Sequence, residues 1–132
     1  MSDTTPPTPV LMAAASVDAA EVIDLSVLVS LTRNNPKKIQ DIASVFLTFM
    51  VRTLDELDAA AAAGDRAALS SLGHKAKSSA GSVGAQGLSV LCQRLEASMK
   101  APDGDVGEAR LLIEQIRALM VLIAAKLGAP QG

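Results

Sequence analysis

Apolar residues recur at steps of three and four through most of this 132-residue chain, a spacing that favours helices over strands. Ile39, Ile42, Phe46, Phe49, Thr53, Leu57 and Ala60 follow it. So do Leu88, Leu91, Cys92, Leu95 and Met99, and again Ala109, Leu112, Ile113, Ile116, Leu119, Ile123 and Leu127. Residues spaced in this way line one face of a helix and must bury it against something. No segment shows a convincing alternation of β-branched residues. With two Phe and neither Trp nor Tyr, the core has to be built from Ala, Leu, Val, Ile and Met, which suit closely packed helices.

The punctuation between these stretches sets the element boundaries. A first helix is expected from about Ser16 to Arg33, with Val22, Leu25, Leu28 and Val29 inward. Asn34-Asn35-Pro36 then supplies an N-cap ahead of a Pro at the first helical position. Gly64 suits the C-terminal cap of the second helix and Asp65 the next N-cap. A third helix is expected from Arg66 to Val83 and a fourth after Gly84. Ala101 to Gly104 reads as a turn, and Asp105 with Glu108 as a capping box for the last helix, which Gly128 ends. The expected fold is all-α: an antiparallel up-and-down four-helix bundle with a short additional N-terminal helix. Residues 1–15, with Pro6, Pro7 and Pro9, read as a disordered tail, 16–128 as the bundle and 129–132 as a flexible C-terminus.

Composition narrows the function classes. A net charge of −2 provides no general affinity for nucleic acid. The apolar runs Val10–Ala15 and Ala118–Ala125 are far short of the roughly 20 residues a membrane span needs. The first basic residue is Arg33, so no secretory leader is expected, and a single Cys suits a reducing compartment. A cytoplasmic protein without nucleic-acid or membrane partners is expected. One His and one Cys on separate helices fall short of a metal ligand set, and no Gly-rich phosphate loop is present, so neither a metal nor an ATP site is expected.

The one histidine, His74, repays a closer look. At roughly 100° per residue, Leu72, Ala76 and Val83 fall about 160 to 180° from it and Leu69 about 140°. Within about 60° lie Lys77, Ser78 and Gly81, with Lys75 at the border of that face. His74 is therefore expected in solvent beside one cation and small residues, opposite the apolar stripe. Gly in a helix interior costs about 1 kcal/mol against Ala, so Gly73 and Gly81 need a reason. Small residues there leave room for a partner to reach the ring, whereas Ser79 and Gly84, which face away, suit close helix packing.

The run His74-Lys75-Ala76-Lys77-Ser78-Ser79-Ala80-Gly81-Ser82-Val83-Gly84 resembles the signature of histidine-containing phosphotransfer (HPt) domains. That family shows a His, a Lys three residues later, small residues, and a Gly ten residues after the His. Leu88, Cys92 and the Leu95-Glu96 pair extend the resemblance, as does the stretch Leu54 to Asp65 upstream. The family usually has Gly directly after the Lys, where this chain has Ser78. The resemblance implies a phosphoryl carrier without kinase activity of its own. His74 would accept and donate the phosphoryl group, Lys77 would offset its charge, and Lys75, Ser78 and Gly81 would meet the partner. The implied partners are receiver domains of response regulators or hybrid histidine kinases, which would bring the Mg²⁺, while this chain, expected as a monomer, needs no cofactor. Two other readings are an HPt-fold binding module without phosphotransfer and the dimerisation and phosphoacceptor domain of a histidine kinase. The latter usually follows its His with an acidic residue and a Thr-Pro turn, whereas Lys75 follows here.

Overall fold

A computed structural model describes residues 22–128, and all of its elements are helices: α1 Leu25–Thr32, α2 Pro36–Ala63, α3 Arg66–Ser82, α4 Gln86–Lys100 and α5 Val106–Gly128. Side-chain caps define most starts. Asn35 accepts from the Lys38 amide at 3.2 Å with Pro36 at the first helical position, and Asp65 accepts from the Ala68 amide at 3.0 Å. Gly64 closes α2. Asp105 accepts from the Glu108 amide at 2.9 Å, but the Glu108 carboxylate accepts from Ser98 Oγ at 2.8 Å. The capping box therefore forms on its Asp105 side, and its glutamate ties α5 to α4 instead.

The helices form a bundle in which α3 lies most extensively against α4, α4 against α5, and α2 against both α3 and α5. Met50, Leu57, Leu69, Leu88, Leu95, Ile113, Ile116 and Ile123 are fully buried where these helices meet. The α5 stripe is buried throughout, whereas Ile39, Ile42 and Phe49 at the α2 end of the bundle are only half-buried. Polar ties hold the helices in register: Arg117 makes two contacts of 2.7 and 2.9 Å to Asp58, and Arg110 donates to the Ala61 carbonyl at 3.2 Å.

The first helix differs from the sequence expectation. Among the described residues the expected run is interrupted: Val22 is helical, Ile23 and Asp24 are not, and α1 begins at Leu25, capped by Asp24. Val22, Ile23 and Leu28 are buried, while Leu25 and Val29 stay exposed. The physical reason is the α3–α4 turn. The Asp24 amide donates to the Gly84 carbonyl at 2.9 Å, which takes that backbone out of a helix and drops Ile23 into the core. Gly84 has φ +84°, and a Cβ there would stand 2.6 Å from the Asp24 carbonyl oxygen, so only glycine permits this contact. The expected tail at 1–15, the start of the first helix at 16–21 and the C-terminus at 129–132 lie outside the described residues. Among the described residues no helix is long and apolar enough to cross a membrane.

Candidate functional site

His74 sits in the middle of α3 on the face turned from the core. Leu69, Ala76 and Ala80 are fully buried on the opposite side, and the histidine side chain is 60% exposed. Its position is thus set by helical periodicity, as the spacing predicts.

What lies beneath the ring comes from α4. Glu96 is a charged residue only 8% exposed, and three donors converge on it. Lys77 Nζ reaches Oε1 at 2.9 Å, Lys100 Nζ reaches Oε2 at 3.0 Å, and His74 Nδ1 lies 3.1 Å from Oε2. A buried carboxylate is costly unless paired, and here the hydrogen bonds from Lys77 and then Lys100 outweigh burial and hold it down to about 2. It is ionised at neutral pH and can only accept. Nδ1 of a neutral ring must therefore carry the hydrogen, which leaves the lone pair on Nε2, the outward nitrogen.

Glu96 reaches this place because α3 and α4 approach closely at Gly73. A Cβ on Gly73 would stand 3.0 Å from the Cys92 carbonyl oxygen and 3.2 Å from the Glu96 amide nitrogen. Ser70 Oγ donates to the Glu96 carbonyl at 3.4 Å, and Ser89 Oγ to the Lys77 carbonyl at 3.2 Å, along the same seam. Gly73 is therefore a packing residue, and it sets the height of Glu96 under the ring.

The other expected site residues divide. Lys77 is not on the open solvent face: its side chain is 29% exposed and runs across to Glu96, because a buried carboxylate within reach outcompetes water for an ammonium. Lys75 is exposed. Ser78 is exposed too, and its hydroxyl folds back onto the His74 carbonyl at 3.3 Å, leaving a small, capped surface where the family usually has glycine. Gly81 faces open space, with only Ser89 Oγ at 3.9 Å from where a Cβ would stand. Packing does not require glycine there. Gly81→Ala should stabilise the protein by about 0.5–1 kcal/mol through helix propensity and raise the melting temperature by a few degrees. A lowered melt would show that this side is packed after all.

Sequence reasoning missed two contributors beside the ring. Glu96 and Lys100 are one helical turn apart on α4, and nothing in the α4 pattern alone says that they face α3. With Ala67, Ser70, Ser71 and Met99 they line an open recess of about 510 Å³ against His74. Ala67 and Ser71 were not named from the sequence either, although helical spacing puts residues seven and three before His74 on its face. A second recess of about 390 Å³ lies between α2 and the end of α3, with Ile42, Val45 and Phe49 on one wall and Ser79, Ser82 and Val83 on the other. Among the described residues there is no group of three or more His, Cys, Asp and Glu that could hold a metal ion. Cys92 is buried, which pushes its thiol up to about 12 and makes it a core residue with no thiolate chemistry.

The family model for the Hpt domain matches residues 41–125. Among solved structures, the chain resembles the crystal structure of histidine-containing phosphotransfer protein B (HptB) from Pseudomonas aeruginosa PAO1. The TM-score is 0.77 and the identity 28%, over 84% of this chain and 95% of that one. No curated protein matches. An exposed histidine on a bundle helix, inside the matched residues, agrees with both findings, and the chain belongs to the Hpt domain family, whose work is phosphotransfer in two-component signalling.

Proposed function

We propose that this chain is a phosphorelay intermediate that takes a phosphoryl group from a receiver-domain aspartate onto His74 Nε2 and passes it to the aspartate of another receiver. The observation that carries the reading is an exposed ring whose inner nitrogen rests on a carboxylate held ionised by two lysines. The Nε2 lone pair forms the N–P bond while the P–O bond to the aspartate breaks, and that electron pair leaves with the aspartate carboxylate. The ring then carries a positive charge, which Glu96 offsets through Nδ1–H. Onward transfer reverses each step, and the proton on Nδ1 never has to leave. Lys77, and with it Lys100, can offset the phosphoryl oxygens at the cost of a lengthened contact to Glu96. The receiver brings Mg²⁺ and its own cation. This chain needs no cofactor and has no kinase activity of its own.

Docking uses the open side of α3. Lys75, Ser78 and Gly81 follow His74 along that side of the helix, and Gly81 has no packing reason to be glycine. The recess of Ile42, Val45 and Phe49 supplies apolar surface on the α2 flank, with Val45 70% exposed. The protein works as a cytoplasmic monomer that meets each receiver in turn.

The test is transfer itself. Label from a phosphorylated receiver domain of the same organism should move to this chain and leave it again when a second, unlabelled receiver is added. Complex formation without label would favour a binding module, and labelling by ATP and Mg²⁺ alone would favour a kinase. Lys77→Ala should slow transfer by roughly ten- to a hundredfold, since a charge-assisted contact is worth about 1.5–3 kcal/mol. Its half-buried stem adds a stability loss of about 1 kcal/mol, read by thermal melts on the same samples. A rate unchanged in that variant would make Lys77 a bystander.

A further inference from the structure

Two ammoniums share one carboxylate beside the ring, and their positions are not equivalent. Lys77 takes Oε1, whereas Lys100 takes Oε2, the oxygen on which His74 Nδ1 also rests. At 3.0 Å and 3.1 Å from that oxygen, Lys100 Nζ and His74 Nδ1 are no more than about 6 Å apart. We propose that Lys100 is a positioning residue of the phosphoryl site: by sharing Glu96 Oε2 with His74, it weakens that oxygen's hold on a ring proton and so favours the uncharged ring with its Nε2 lone pair free. This rests on the reading of His74 as phosphoryl acceptor.

The argument is electrostatic. A carboxylate against imidazole stabilises the transition state of transfer, because the ring becomes positive as the N–P bond forms. The same carboxylate would equally stabilise an imidazolium formed by simple protonation, and a protonated ring has no lone pair on Nε2. A site with Glu96 alone would trap His74 in the wrong form. Lys100 loads Oε2 before transfer and so weakens the pull on a proton. Its side chain is 67% exposed, so it can swing away once the phosphoryl group, itself negative, competes for it. Among the other charges near the ring, Lys77 draws on the same carboxylate through Oε1, the oxygen that His74 does not touch, Lys75 is exposed on α3, and α2 offers Asp41 beside Ser79 and Ser82 on the far flank.

His74 is the single histidine of the chain, so its proton titration can be followed by NMR without assignment ambiguity. In Lys100→Gln the midpoint should rise by about 0.5 pH unit, the size of one exposed ion pair, and Lys100→Arg should restore it. In a Glu96→Gln background, Lys100→Gln should move it far less, because the shared oxygen has lost its charge. The pH profile of phosphoryl uptake from a phosphorylated receiver should move to the alkaline side by the same amount in Lys100→Gln. An unchanged midpoint, or an equal rise in the Glu96→Gln background, would overturn the proposal. A midpoint that behaves as expected in a protein that takes up no label would overturn the phosphorelay reading and leave the coupling between Lys100 and His74 standing.

Discussion

His74→Gln is expected to abolish labelling by a phosphorylated receiver domain. Glutamine keeps a polar side chain of similar reach but has no nitrogen lone pair available for attack, since its amide nitrogen is delocalised onto the carbonyl. No second histidine can substitute. The fold should hardly notice. The side chain is 60% exposed, and Glu96 keeps both lysines as partners, so the melt should move by under about 0.5 kcal/mol equivalent. In the parent protein the label should be lost in acid and survive base, as a phosphoramidate does. Acid-labile label that persists in His74→Gln would place the chemistry on another residue and sink the site described here.

The largest structural effect is expected at Gly73. Even the first carbon of a side chain there meets backbone, the Cys92 carbonyl at 3.0 Å and the Glu96 amide at 3.2 Å, and backbone in the middle of α4 cannot step aside. Gly73→Val adds two further methyls to that seam. Overpacking of this kind costs about 1–3 kcal/mol, against which the gain in helix propensity is small for a β-branched residue. The two helices should part, and Glu96 should fall out of reach of His74. We therefore expect a lowered melting temperature together with slowed phosphoryl uptake. Gly73→Ala should show a milder version of both, since propensity then offsets about 1 kcal/mol of the strain. A Gly73→Val protein that melts like the parent and transfers at the parental rate would show that the α3–α4 approach is not what places the carboxylate.

How much of this was legible beforehand follows from what each feature depends on. The outward direction of His74 is a property of one helix: seventeen residues, a 3.6-residue period and an apolar stripe on the other side. The caps at Asn35, Asp65 and Gly64 are likewise decided within a few residues of chain, and the helix boundaries there fell where those residues stand. The start of α1 was not, because Asp24 leaves the helix for a hydrogen bond to Gly84, sixty residues away in sequence.

The same division runs through the site. Periodicity on α3 puts Lys77 on the side of His74, and by itself it predicts an ammonium in water. Only the packing of α4 on α3 decides that the ammonium is spent on Glu96, that Lys100 joins it, and that one oxygen is shared between a lysine and the histidine. Gly73 belongs to both descriptions: its cost to the helix is visible in the sequence, but its reason is a backbone contact from another element. Local rules determine which face a residue occupies, because the helix repeats regardless of its surroundings. They do not determine what that face meets, because the partner arrives through burial of apolar surface elsewhere on both helices. The outward direction of His74, the proposed nucleophile, was therefore set by its own helix, and the charges gathered around it were set by the bundle.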